Sequence, residues 1–413
     1  MKIFLLSLIL FSTIMLPQNT PHPNAVNISS SLTSNLKKDP GKYKKDLVTA
    51  LVKGLTSNRE KVKAIHDWIA INIGYDANAY FSGSSSANIA NDVIKTGLSV
   101  CEGYSNVALE LLSMAGFECV KITGFGKGYG YDPFKQNEKF SSNHAWNAVK
   151  IDTKWELFDV TWNSGYLEGR KFIKRYSEGY LFLQPELFIY THYPEDSKYQ
   201  FLSRTLSWAE FMNLPFVYSG FFDLGFKFVT PLKKLQSTGE SYSFELKAPA
   251  NIKIMANLFD SKGKEIPGRV LAQKSGEMIK IDILFPGKGD FIMRLYAKRE
   301  PETGSYGGTL ELSFNASKGT SLVFPEIYGE FNAKETFLKM PVSGPLKRGL
   351  QKFEVQVKNV KEVGILTGDN YTPLKSSGNN VYTGSVELNK PDAALVYSTG
   401  GGKLQFICKW KVE

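Results

Sequence analysis

Helical periodicity stops near residue 215 of this 413-residue chain, and alternating β-type runs continue from there to the C-terminus. They include Tyr242–Lys247, Met278–Leu284, Phe291–Ala297, Thr309–Phe314, Lys352–Val357 and Ala394–Ser398, separated by turn residues. Strands of this length and spacing bury their apolar faces by pairing into stacked antiparallel sheets, so this half is expected to form β-sandwich modules. An internal repeat divides it in two. Ser219-Gly-Phe-Phe222, Thr230-Pro-Leu-Lys-Lys-Leu235 and Tyr242-Ser-Phe-Glu-Leu246 have counterparts in Tyr328-Gly-Glu-Phe331, Gly344-Pro-Leu-Lys-Arg-Gly349 and Lys352-Phe-Glu-Val355. The expected modules are 213–317 and 318–413.

The other end of the chain reads as an export signal over residues 1–20, with Lys2 ahead of the apolar run Ile3–Leu16. Cleavage is expected near Gln18 to Ala25, giving a secreted or periplasmic protein. Residues 21–44 are polar and read as a loose leader. Three cysteines do not make a disulfide framework, and an odd count leaves one thiol free. The net charge of +10 comes from scattered lysines, which implies a solvated surface with weak attraction to a cell-envelope component. No nucleic-acid motif is present, and the sequence does not set the oligomeric state.

Residues 45–212 mix helices and strands. A helical pattern over Tyr43–Gly54 is followed by a second. Ser57 and Glu60 have capping-box spacing, and Val62, Ile65, Trp68, Ile69 and Ile73 recur at helical intervals. Tyr80–Asn88 reads as a loop. A third helix is expected from Cys101 to Ala115, with Gly116 capping its end. Strands then follow over Glu118–Thr123, Ala145–Ile151 and Trp155–Val160. A helix followed by a small antiparallel sheet is an α+β arrangement.

Chemistry concentrates in this region. A thiol becomes nucleophilic as a thiolate, and the free N–H groups at a helix start favour that anion. Cys101 stands at such a start, whereas Cys119 and Cys408 lie in apolar strand-like runs and read as buried small hydrophobes. Of the four histidines, His22 lies in the leader, His66 reads as structural and His192 is ambiguous. His144 alone lies in a strand-forming segment after the thiol. If Asp152-Thr153 is a turn and Ile151 faces Lys154, then His144 and Asp159 are diagonal neighbours on one sheet face. Such neighbours are about 7–8 Å apart, within side-chain reach. The carboxylate would then orient the imidazole. The Cys101 N–H is one candidate oxyanion donor, with the second open among Tyr80, Asn88 and Asn91. The glycine-rich stretch Gly124–Gly130 reads equally as a mobile flap or a connector. No metal is expected, because a Cys101, His144 and Asp159 zinc site would lack the usual close ligand pair. No cofactor is expected either.

Val100-Cys-Glu-Gly-Tyr-Ser105, Asn143-His-Ala-Trp-Asn147 and Asp159-Val-Thr-Trp162 resemble the three motifs of the transglutaminase-like superfamily. Ala64-Ile-His-Asp-Trp-Ile-Ala70 with Asn72-Ile-Gly-Tyr-Asp76, and Tyr180-Leu-Phe-Leu-Gln-Pro-Glu186 with Thr191-His-Tyr-Pro-Glu-Asp196, resemble the kyphoscoliosis peptidase group within it. The resemblance implies a papain-like α+β domain followed by immunoglobulin-like sandwiches. It implies Cys101 as nucleophile, His144 as base and Asp159 as orienting carboxylate. Trp146 and Trp162 would pack over them, with Glu102, Gly103 and Tyr104 shaping the site. The function expected on this basis is thiol acyl transfer on protein or peptide amides. Hydrolysis is slightly favoured over cross-linking, because no calcium-loop spacing appears. The alternative is a catalytically silent scaffold or binding protein.

Overall fold

The structure is a computed structural model that describes residues 20–131, 139–401 and 403–413. Its described residues form two compact units. The first runs to Lys121 and includes Trp146–Leu181; the second comprises Ile122–Ala145 and Phe182–Glu413.

The first unit opens with three helices: α1 (Pro23–Val26), α2 (Ser30–Lys38) and α3 (Pro40–Val52). This corrects the expectation of a loose leader. Its polar residues are caps rather than linker. The Ser29 and Asp39 side chains cap α2 and α3, and His22 Nδ1 accepts from Asn24 N at the start of α1. Asn24 Nδ2 donates to the carbonyls of Leu51 at 2.9 Å and Lys53 at 3.0 Å, closing the far end of α3. Ala25 and Leu36 are buried.

Helix α4 (Asn58–Asn72) is capped by Ser57, which accepts from Glu60 N. Its predicted apolar stripe, Val62, Ile65, Trp68 and Ile69, is buried. A short strand β1 (Gly74–Tyr75) leads into α5 (Ala77–Ser82), so the first part of the expected Tyr80–Asn88 loop is helical. Helix α6 (Ala90–Thr96) ends at Gly97, whose φ of +67° suits glycine. Strand β2 (Leu98–Ser99) pairs parallel with β1 and delivers the chain to α7 (Cys101–Met114). Tyr104, Val107, Ala108, Leu111 and Leu112 form the buried stripe of α7.

Strand β3 (Cys119–Gly126) follows, then β4 (His144–Ile151) and β5 (Lys154–Phe158). The register of β4 with β5 agrees with the sequence expectation: Ile151 faces Lys154 and Asn147 faces Phe158. Asp152 turns the hairpin at a φ of +55°. The expected strand through Val160 is two residues too long. At Asp159 the chain leaves the sheet and caps α8 (Val160–Ser164). A hairpin of β6 (Gly165–Glu168) and β7 (Lys171–Lys174) completes this region.

In the second unit, Gly124–Gly126 pairs antiparallel with His192–Pro194. Phe125, Ile189 and Phe211 form a core lined by Tyr193, Trp208 and other aromatic residues.

The all-β half then forms as predicted. One sheet runs in the order Phe216–Val217, Gly307–Ala316, Gly289–Arg299, Ile252–Asp260, Glu265–Ile266, with Leu235–Thr238 parallel to Gly307–Ala316. Its companion runs Lys227–Phe228, Ser241–Lys247, Met278–Leu284, Val270–Ser275. The second pair has the orders Glu326–Ile327, Leu404–Lys411, Asp392–Ser398, Val363–Thr367, Asn370–Pro373 and Phe337–Met340, Gly349–Gln356, Val381–Leu388, Lys375–Gly378.

The internal repeat is visible at the start of each sandwich. Tyr218 N donates to Thr309 O and Phe226 N to Phe221 O; Tyr328 N donates to Ile407 O and Thr336 N to Phe331 O. In each case an edge strand leads into a one-turn helix that buries a phenylalanine, Phe221 or Phe331. The two sandwiches share packing. Leu271 and Leu284 join the core of the second, and the fully buried Gln273 accepts from Leu338 N at 2.6 Å.

Candidate functional site

Cys101 is the first residue of α7 and is half-buried. The approach to it is tightly built. A Cβ on Gly103 would lie 2.0 Å from Ser99 Oγ and 2.7 Å from the Ala87 carbonyl, so only glycine lets α7 start against this segment. Ser99 Oγ in turn donates to that Ala87 carbonyl. Glu102, in the first turn, forms an ion pair with Lys121. Tyr104 is buried; its hydroxyl donates to Ile73 O at 2.7 Å and accepts from Ser164 Oγ at 3.1 Å. These bonds make Tyr104 a fixed wall. Asn147 on β4 donates to Ser105 O at 3.1 Å, which ties the strand to the helix.

Asp159 is fully buried. Its Oδ1 accepts from Trp162 N at 3.1 Å, and its own N–H donates to Tyr180 O at 3.1 Å. The carboxylate is therefore an N-cap whatever else it does. The Trp162 ring meets Tyr180 edge-on at 5.1 Å, and Trp146 is buried in β4. Cys101 and Asp159 both act on Tyr75. Burial first, then negative charge at Cys101 and Asp159 among its neighbours, pushes that phenol's titration upward.

His144 opens β4 and belongs to the second unit. The residue before it is clamped: Gly126 N donates to Asn143 Oδ1 at 2.7 Å, Asn143 Nδ2 to Gly126 O at 3.2 Å, and Asn143 N to Gly124 O at 2.9 Å. The His144 ring lies 5.5 Å from that of His192. His192, ambiguous in sequence, is buried and packs 4.1 Å from the Phe188 ring. Thr191 Oγ1 donates to Phe188 O at 3.3 Å, so its oxygen accepts from His192 Nδ1–H at 2.9 Å. No local pattern announces this histidine pair, because β3 and residues 192–194 meet only through the sheet.

His66 is structural, as read from sequence. Asn163 Oδ1 accepts from Tyr180 N at 3.0 Å, so Asn163 Nδ2 donates to His66 Nε2 at 3.0 Å. That leaves His66 Nδ1–H to donate to Asp67 Oδ1 at 2.8 Å. Asp67 is fully buried and was not singled out by sequence reasoning. Burial would raise its carboxyl, but bonds and charge from His66 and Lys63 hold it below the usual range.

Tyr80 spends its N–H on Asp76 O at 3.0 Å inside α5, and its side chain is 44% exposed. Asn88 is exposed, its carbonyl accepting from Asn106 at 2.8 Å. Asn91 lies in α6. Burial pushes the Cys119 thiol up to about 12 and that of Cys408 well above the ordinary value. The Gly124–Gly130 stretch is anchored rather than flap-like, because Lys127 is buried and its Nζ donates to Phe211 O at 3.0 Å and Leu214 O at 3.3 Å.

A sequence model of the transglutaminase-like superfamily matches residues 45–160, and one of the KY-like, immunoglobulin-like domain matches residues 208–323. Kyphoscoliosis peptidase of Mus musculus is 30% identical over 279 residues, 66% of this chain and 40% of that protein. The LIM and transglutaminase domain protein of Caenorhabditis elegans is 31% identical over 205 residues, 47% of this chain and 28% of that protein. Cytokinesis protein 3 of Schizosaccharomyces pombe is 29% identical over 219 residues, 50% of this chain and 23% of that protein. The match thus spans well under half the length of each of these relatives.

These similarities correct the expectation of a secreted or periplasmic thiol acyl-transfer enzyme. One relative is named for cytokinesis, and these relatives do not support a secreted enzyme. The apolar run Ile3–Leu16, read as an export signal, lies outside the described residues.

Proposed function

The chain belongs to the transglutaminase-like superfamily and carries a KY-like immunoglobulin-like domain, and from that premise we propose that it is a scaffold that binds a protein partner through a chemically silent transglutaminase-like domain. In this reading residues 45–212 form the transglutaminase-like domain, and 213–317 and 318–413 the two sandwiches. The half-buried Cys101 and Trp162 of the first unit would border the surface that recognises the partner. The partner is a protein, in keeping with a relative named for cytokinesis.

The carrying observation is the charge around the thiol in the first unit. Asp159, fully buried, acts with Cys101 on the same Tyr75 phenol, and Glu102, paired with Lys121, stands directly after the thiol. Carboxylates disfavour a neighbouring thiolate and oppose the field of the helix start. Asp159 is also committed to capping α8. Alkylation of Cys101 by iodoacetamide across pH tests this reading. A midpoint at or above that of an ordinary thiol, about 8.5, supports it. A midpoint well below that value overturns it.

A further inference from the structure

The described residues of the first unit hold a ladder of rings and cations that the scaffold reading has not used. Arg170, at the tip of the β6–β7 hairpin, lies 4.6 Å from the centre of the Phe81 ring. Phe81 meets Tyr80 edge-on at 5.1 Å, Tyr80 meets Tyr75 at 5.8 Å, and Tyr75 meets Phe172 at 6.0 Å. Tyr75 feels the charge of Cys101, so the ladder leads from an exposed arginine to the neighbourhood of the thiol. Its outer end is open: Arg170 and Lys171 are exposed and Tyr80 is 44% exposed.

From this arrangement we infer that the Arg170–Phe81–Tyr80 surface is a recognition site for acidic side chains of a peptide segment of the partner. Charge complementarity selects that occupant. The hairpin segment Glu168–Arg175 carries Arg170, Lys171, Lys174 and Arg175 against the single acid Glu168. Arg170, Lys171 and Arg175 form no ion pair with the described residues. Lys174 differs, because its ammonium turns inward to Ile73 O. A guanidinium stacked on a ring keeps its N–H fork in plane and available, the geometry that binds a carboxylate through two parallel bonds. The exposed tyrosine beside it supplies apolar area and a hydroxyl at small entropic cost, the composition typical of interface hot spots.

The inference rests on the binding-scaffold reading but is tested separately from the state of the thiol. The probe is a fluorescein-labelled, C-terminally amidated decapeptide of alternating Glu and Tyr; amidation leaves side chains as the only carboxylates. Its partner probe has Gln in place of Glu. Anisotropy titrations use the full chain, Arg170→Ala, Arg170→Lys and Phe81→Leu. The expected results are binding of the Glu peptide in preference to the Gln peptide and a loss of about tenfold in affinity for Arg170→Ala. Arg170→Lys should recover only part of that loss, because a point charge lacks the fork. Equal binding of the two peptides, no binding of either, or unchanged affinity in Arg170→Ala would overturn the site. None of these outcomes depends on whether Cys101 is activated.

Discussion

Lys127 should make the stability of the second unit rise with pH. Its side chain is 2% exposed, its Nζ donates to two backbone carbonyls, and it lies 4.3 Å from the centre of the Phe211 ring. Burial, with a further push from Lys234, lowers its titration to about 7. An unfolded lysine titrates near 10.4. Below pH 7 both folded and unfolded states hold the proton, and the full cost of burying the charge is borne. Above pH 7 the folded state releases the proton while the unfolded state keeps it, so stability climbs until the unfolded lysine also titrates. Between pH 7 and 9 the gain is about 2 kcal/mol, at about 1.36 kcal/mol per unit.

Lys127→Met keeps the length of the side chain and removes the charge. It also strips a donor from the Phe211 and Leu214 carbonyls, but that loss is the same at every pH and only offsets the curve. The assay is urea unfolding at several pH values, followed by the fluorescence of Trp208, whose ring stacks 5.5 Å from Phe211. Wild type should gain about 2 kcal/mol on the variant from pH 7 to 9. Parallel curves for the two proteins would refute the reasoning.

Asp159→Ala should destabilise the first unit by about 1 kcal/mol through loss of the α8 cap, whereas Asp159→Asn, which caps equally well, should stay within about 0.5 kcal/mol of wild type in urea melts. Equal losses for both would show that the charge, not the cap, stabilises the fold. Gly103→Ala should cost about 1–3 kcal/mol or more, since its Cβ meets the Ala87 carbonyl as well as a side chain, and thermal melting would read the loss. An unchanged melting temperature would show that the segment before α7 yields freely.

Much of the architecture is legible in the sequence where the signal is local. The stripe of Tyr104, Ala108, Leu111 and Leu112 specifies α7, and its start at Cys101 follows from the turn before it. The Asp152-Thr153 turn specifies the β4–β5 register, because a slip by one residue would turn buried Leu157 outward. The repeat around Phe221 and Phe331 separates the sandwiches. Residues 21–44 look like linker because Ser, Asn and Asp are common in loops, although the same side chains cap helices. The expected strand runs two residues too far because Val160-Thr-Trp162 favours a strand, and capping by the Asp159 carboxylate outweighs that preference. The buried group around Asp67 and the histidine pair of His144 and His192 join residues far apart in the chain, so no spacing rule could find them. Tyr176, which donates to Asp67 at 2.8 Å, lies 109 residues away from it.

The central claim is that Cys101, at the start of α7, is not an activated nucleophile. Its most direct test is the rate of iodoacetamide alkylation at Cys101 from pH 5 to 10, read by peptide mass spectrometry on the intact folded chain. Cys119 serves as the internal standard, because burial holds its thiol near 12 and it should stay unlabelled throughout. The scaffold account predicts a Cys101 midpoint at or above about 8.5. A midpoint below about 7, with Cys119 still unlabelled, would contradict it.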